Sequence, residues 1–309
     1  MSGSVSRPIL TITTMTDPSG RVSDILGDCG WVQTARLQLL DFAVAVHSDI
    51  PALVHLIDEL YAPLARPGPA SHALMLGTTM GHDGPGYFTA LDGSVVVRTP
   101  APTVAFAHLL FEANQQAIEQ SPELIRIHAA AVVVGGRAVL LPGPMGAGKS
   151  TLAAGLTFRG HGYITDEVAA IHHRSGLVRA YPKPISLGAA PDPIGSIEWE
   201  PSSGGRLFLG ASGVIPARVL GPTDDRELPV GLVVLPEYIP HAATELVRLP
   251  ASETLAAVAA HTFHLDRPDT LASLARVLTG VPCYRLASGS LPEAVDAVLD
   301  VVPSEAGVR

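Results

Sequence analysis

Gly143-Pro144-Met145-Gly146-Ala147-Gly148-Lys149-Ser150, followed by Thr151, is the stretch on which the reading of this chain turns. It meets every fixed position of G-x-x-x-x-G-K-[ST]. Glycine is needed there because a side chain would keep the backbone from curling around phosphate groups, whose oxygens are bound by converging N–H donors. Lys149 is long enough to reach β- and γ-phosphates, and the Ser150 hydroxyl is suited to Mg2+. Pro144, Met145, Ala147 and Thr151 complete the predicted nucleotide-binding segment. Its context fits, since Arg137–Leu141 is an apolar strand and the run from Lys149 to about Arg159 has helical periodicity closed by Gly160. ATP and Mg2+ are the expected ligands.

Downstream of the loop, Gly162–Thr165 reads as a strand ending at Asp166-Glu167. A strand–loop–helix–strand unit is expected to return its second strand beside the first, which brings these carboxylates near the phosphates. A carboxylate there can hold magnesium or accept the proton of an attacking hydroxyl. The competing reading is a helix cap or surface turn. Upstream, His128 opens the apolar run His128–Val134, joined to Arg137–Leu141 by Gly135-Gly136. It is either a structural histidine or, if it reaches Asp166, a group that tunes that carboxylate's proton affinity.

Taken together, Ile127-His128-Ala-Ala-Ala, the glycine-rich loop, Gly-Tyr-Ile-Thr-Asp166-Glu167 and Tyr181-Pro-Lys183-Pro-Ile-Ser-Leu187 resemble the HPr serine kinase/phosphorylase catalytic domain. The likeness is nearest to the kinase-like relatives that accompany peptide-modifying gene clusters, and it covers about Ile125 to Leu187. It implies a P-loop fold akin to phosphoenolpyruvate carboxykinase and transfer of phosphate to a serine hydroxyl. By the same resemblance Asp166 is the base, His128 its partner and Glu167 a metal- or substrate-positioning acid, while the loop motif itself makes Lys149 the catalytic cation that neutralises charge on the leaving γ-phosphoryl group. Lys183 becomes a contact to phosphate, substrate or an acidic residue; on the residues alone it is equally an ordinary surface lysine between turn prolines. The Arg-Gly-Leu-Gly stretch tied to phosphorolysis in that family is absent. Ser186–Gly213 carries Glu198-Trp199-Glu200 and Arg206 instead, so neither HPr as acceptor nor the reverse reaction is implied.

The rest of the chain sets limits. Its 309 residues, 47 % hydrophobic and 16 % charged, allow two packed domains. The expected architecture is α/β: an N-terminal α/β domain over 1–124 that recognises the acceptor, and a P-loop kinase domain over 125–309. A net charge of −9 with no basic cluster argues against nucleic acid as partner. No apolar run reaches the ~18 residues of a membrane span, and the polar N-terminus lacks a signal-peptide core, so a cytoplasmic protein is expected. Cys29 and Cys283 match no metal or redox spacing. The first twenty or so residues read as frayed. Arg36–Val46 reads as a strand, Ser48 and Asp49 as caps of a helix whose face is Leu53, Val54, Ile57, Leu60 and Tyr61, and Pro63–Gly86 as loop with short extended pieces. Asp92-Gly93 marks a hairpin, and a helix follows over about Thr103–Gln120. Further on come a strand at Val230–Leu235 and helices over about Ser252–His261, Thr270–Leu278 and Pro292–Val301.

Two weaker features point nowhere definite. Leu232–Leu235 followed by Pro236-Glu237 is similar to the strand-plus-acid of many ATPases, but the proline favours a strand running into a loop. His261 and His264 lack further ligands at useful spacing. The resulting expectation is a kinase acting on a serine-type hydroxyl of a peptide or protein. A small-molecule kinase, an NTPase switch driving a partner, and a nucleotide-binding regulator without chemistry stay open. The family resemblance also implies that the chain assembles with copies of itself.

Overall fold

The computed structural model describes residues 30–81, 84–187, 190–202, 205–209 and 213–302. Cys29 and the segment expected to be frayed lie outside them. The first part builds a seven-stranded sheet from β1 (Val32–Gln33), β2 (Arg36–Leu39), β3 (Phe42–Ser48), β4 (Ala65–Arg66), β5 (His72–Gly81), β6 (Gly84–Leu91) and β7 (Ser94–Thr99). Its order is β4-β2-β3-β5-β6-β7, with β1 on β3. Helices α1 (Pro51–Leu60) and α2 (Pro102–Glu119) supply apolar faces to the associated core.

Three local expectations change here. The single strand expected over Arg36–Val46 is a hairpin, because Leu40 takes a left-handed φ of 55° while its side chain stays buried. Helix α1 is not capped by Asp49. That carboxylate instead accepts the Thr78 N–H at 3.1 Å, tying the helix entrance to β5. Pro63–Gly86 is not mainly loop, because β5 fills much of it. The glycine at 77 that looks like a breaker is a point of close approach: a Cβ there would lie 2.6 Å from Cη2 of Trp31.

The second part comprises β8 (Leu124–Val134), β9 (Arg137–Pro142), α3 (Lys149–Phe158), β10 (Gly162–Thr165), β11 (Val168–His172) and β12 (Leu177–Arg179). After the short pair β13 (Ile185–Ser186) and β14 (Val214–Ile215), with α4 (Arg206–Leu209) between them, come β15 (Leu228–Tyr238), β16 (Glu245–Arg248), α5 (Ala251–Ala259), α6 (Thr270–Leu278), β17 (Cys283–Ser288) and α7 (Leu291–Val301). Strand β8 is the spine of this eight-stranded sheet. Its 129–134 half pairs with β9 on one edge, and β10 then β11 run antiparallel along the other. Strand β9 continues into parallel β15, and β15 into parallel β17.

This overturns the expected neighbour of the loop strand. After α3 the chain does not return beside β9; it skips β8 and pairs beyond it. Since β10 and β9 are both antiparallel to β8, they still run in the same direction, so both end at the same edge of the sheet. The reason lies in β8: its 124–134 run is long and apolar enough to be buried between two neighbours.

Proline 236 sits inside β15, not after it. It lies past the last β9 pair, Val233–Leu140, where β17 is the remaining paired neighbour and no bond to β9 is lost. One face of the sheet packs α5 and α6, the other α3 and α7. The α3–α7 contact depends on Gly155, where a Cβ would meet Val295 Cγ2 at 2.8 Å and Leu291 Cδ1 at 2.9 Å. Gly155→Val is therefore expected to cost about 1–3 kcal/mol of stability by overpacking. Urea unfolding checks this, and an unchanged midpoint would contradict it.

The two sheets are not packed as separate cores. Leu124, Val168, Ala170 and Tyr181 of the second part belong to the same buried cluster as α1, α2 and the first sheet. Arg179 on β12 reaches back to Asp41, 2.6 Å, and to the Leu40 carbonyl, 3.0 Å. Among the described residues, no helix is long and apolar enough to cross a membrane.

Candidate active site

The sheet register brings the sequence motifs together. Ala129 on β8 is the cross-strand partner of Pro142, the last residue of β9 before the glycine-rich loop. The same Ala129 donates its N–H to the Glu167 carbonyl, 3.1 Å, across its other edge. Asp166-Glu167 thus occupies the break between β10 and β11, one strand away from the root of the loop. Irregular strand positions of this kind re-aim side chains and recur beside active sites. Here the Thr165 hydroxyl accepts the N–H groups of Glu167 and Val168, each at 3.4 Å, which replaces ladder bonds lost at the break.

In the loop, Gly146 and Gly148 have φ of 84° and 90°, a left-handed backbone that glycine adopts without strain. Gly148 is the N-cap of α3 and has no side chain with which to cap the first N–H groups of that helix. Gly143 packs against Ala147, to which an added Cβ would come within 3.3 Å. Pro144 and Met145 are exposed at the tip, while Ser150 and Thr151 are half-buried on the first turn of α3. Lys149 is buried, with Nζ donating to the Pro144 carbonyl at 2.8 Å. Burial pulls its pKa down, and the charges of Glu167 and Asp166 partly offset that.

Asp166 and Lys183 form the centre of the carboxylate side. They are 5 % and 8 % exposed, and Lys183 Nζ lies 2.8 Å from Asp166 Oδ1 and 3.1 Å from Glu167 Oε2. The Tyr163 hydroxyl donates to the same Oδ1 at 3.0 Å. Among the described residues, Oδ2 takes no hydrogen bond. Lys183 is therefore no surface lysine. Its segment is pinned by Tyr181 N–H to the Ile164 carbonyl of β10, 3.2 Å, and Lys183 N–H to the Tyr181 carbonyl, 2.8 Å. Burial acts to lower the Lys183 pKa, but Asp166 and then Glu167 outweigh it and hold the ammonium above its ordinary value.

Three buried tyrosines surround this pair, and none was singled out from the sequence for chemistry. Tyr163 has its hydroxyl pKa raised by burial and then by Asp166. Tyr181 is fully buried, raised by burial and then by Tyr61, and among the described residues its hydroxyl has no hydrogen-bond partner. Tyr61, at the end of α1, is raised by burial and feels Lys183, Glu167 and Asp166. Tyr61 belongs to the same buried cluster as Tyr181, so the first part of the chain packs against the segment that carries Lys183. The only sequence signal for it was its place on the apolar face of α1.

His128 sits opposite Val168, and its backbone N–H donates to the His261 carbonyl at 2.7 Å. Among the described residues the bonds to Asp166 come from Tyr163 and Lys183, not from His128. The His128 ring packs near Phe263, centroids 6.2 Å apart. Its pKa is lowered by burial and then by Lys149, against a rise from Glu167. His261 is lowered by burial and by Lys149, which places it within electrostatic reach of the loop lysine. His264 instead pairs with Glu119, 3.1 Å. Glu200 pairs with Arg206 on the surface.

Burial lowers the pKa of His47, His128, His161, His173 and His261 alike. The unfolded chain therefore takes up protons first, near 6.5. Their contribution to stability is present above that pH and is lost as pH falls through the lower folded values. Melting temperature should hold near pH 7.5 and drop steadily toward pH 5. A melting temperature that rises on acidification would refute this.

No family model matches the chain, and no curated protein matches it. Among solved structures it is similar to the Hpr(Ser) kinase/phosphatase from Coxiella burnetii, at 15 % identity, covering 57 % of this chain and 93 % of that one, with a TM-score of 0.29. A likeness at that score assigns no role to any residue.

Proposed function

We propose that the chain is an ATP-dependent phosphotransferase that moves the γ-phosphoryl group to a serine-type hydroxyl of a peptide or protein. The observation that carries this reading is the anchored carboxylate beside the glycine-rich loop. Asp166 Oδ1 is held by Lys183 and Tyr163 while Oδ2 is left for a further donor. An acceptor hydroxyl donating to Oδ2 would lose its proton to Asp166 as its oxygen bonds to the γ-phosphorus and ADP leaves. Phosphoryl transfer asks mainly for such positioning and for charge stabilisation.

The residues present fit the triphosphate and its metal. The left-handed glycines leave room for phosphate, and the α3 N-terminus, capped by no side chain of Gly148, offers N–H donors. Lys149, whose ammonium is on the Pro144 carbonyl of the same loop, would turn it to the phosphates. Among the described residues, no group of three or more His, Cys, Asp or Glu could hold a metal unaided. Mg2+ brought with a nucleotide needs only one or two protein oxygens, which Ser150 and Glu167 would provide, and it would neutralise phosphate charge. The N-terminal α/β part, 1–124, would select the acceptor, an assignment supported by Tyr61 lying in the same buried cluster as Tyr181, two residues before Lys183.

The test is transfer from γ-labelled ATP with magnesium in extract of the source organism, wild type against Asp166→Asn. Label on a peptide or protein that disappears in the variant supports the proposal. Label on a small metabolite keeps the phosphotransferase and changes the acceptor. Free phosphate alone, unaffected by the variant, rejects the reading in favour of an NTPase switch.

A further inference from the structure

The glycine-rich loop has two flanks, and only one is used by the carboxylate cluster. On the other, β15 runs past the loop and ends at Tyr238. Leu232 and Val234 of this strand face the core shared with α3 and α7. By strand alternation Tyr238 lies on that same face, beyond the first turn of α3. A Cβ on Gly148 would stand 3.5 Å from the Tyr238 Cβ, so the base of the tyrosine side chain lies beside the helix N-cap. It is nevertheless 58 % exposed.

Its backbone is firmly held. Tyr238 pairs with Ser288 on β17, and the Ile239 N–H donates to the Ser288 carbonyl at 3.1 Å. The turn beyond is closely packed, with no room for a Cβ at Gly289, which would fall 2.7 Å from the His241 nitrogen. An aromatic ring on a rigid strand end, left open to solvent beside a phosphate-type loop, offers a flat apolar face at low entropic cost.

We propose that Tyr238 is the stacking platform for the nucleobase of the triphosphate held by residues 143–150. The inference rests on the phosphotransferase reading above and adds to it where the donor's base lies. If the γ-phosphoryl group points toward Asp166, the nucleoside end leaves the loop on the opposite flank. Asp166 lies across β8 from the loop, and Tyr238 lies across β9 on β15. A nucleobase presents a π-face of the size and polarity that stacks on tyrosine.

The experiment is calorimetric binding of Mg-ATP and of Mg-tripolyphosphate to the full chain, for wild type, Tyr238→Ala and Tyr238→Phe. Tyr238→Ala should weaken ATP by roughly tenfold or more, the size of one base–aromatic stack, and leave tripolyphosphate unchanged. Tyr238→Phe, which keeps the ring, should bind both as wild type does. Equal losses for both ligands would show a distorted loop and overturn the platform. So would an alanine variant that binds ATP normally, or a wild type that binds tripolyphosphate as tightly as ATP; those two outcomes leave the phosphotransferase reading standing. A wild type that binds neither ligand removes both.

Discussion

Asp166→Asn is expected to lower the rate of phosphoryl transfer by roughly 10²–10⁴-fold, the range for loss of a general base, while Mg-ATP affinity stays close to wild type. The amide keeps the size and planarity of the carboxylate but not its capacity to take a proton. The groups proposed to bind phosphate lie on a different segment, 143–150, and their backbone makes no described hydrogen bond to Asp166. Lys183 keeps Glu167 as a partner in this variant, at 3.1 Å, so the fold should survive. In steady state the loss should appear in kcat with KM for ATP little changed. Direct binding of nucleotide separates the two effects. A variant that transfers phosphate at the wild-type rate would remove Asp166 from the chemistry.

The second large effect is on stability. Lys183→Met should cost about 3–5 kcal/mol, because removing one partner of a buried ion pair strands the other charge. Asp166 would be left with Tyr163 as its described hydrogen-bond donor in a place where it is 5 % exposed. The double variant Lys183→Met/Asp166→Asn should be less destabilised than the sum of the two single variants, since no charge is then stranded at Asp166. Urea unfolding of all four proteins measures this coupling. The sign of its pH dependence follows from the raised Lys183 pKa. The contribution is complete below the ordinary lysine value of about 10.4, and is lost only as pH rises through the higher folded value. The cost of Lys183→Met should therefore be constant from pH 6 to 9. A cost below about 1 kcal/mol, the range of exposed pairs, would show that the pair opens to water.

What the sequence determined by itself about this protein is what depends on neighbours in the chain. The strand, glycine-rich turn and helix around 143–158 follow from a hydrophobic run, glycines at left-handed positions and a helical repeat. The hairpins at Asp92-Gly93 and Gly135-Gly136 follow from residues that accept positive φ, and α6 over Thr270–Leu278 from its apolar periodicity. Strand β5 escaped because Gly77 is explained only by the ring of Trp31, far away in the chain. Asp49 looked like a cap because its real partner, Thr78, is equally remote.

The same distinction runs through the candidate site. Asp166, Glu167 and Lys183 stand out in the sequence as charged residues at a strand end and between prolines. That Lys183 is buried against Asp166, that Tyr163 shares the same oxygen and that Tyr61 packs in one cluster with Tyr181 could not be read there. Nor could the insertion of β8 between the loop strand and β10. Strand order and charge burial are set by which apolar faces cover one another, a property of the whole packed chain. Local spacing specifies the glycine-rich turn; only packing decides which side chains face it.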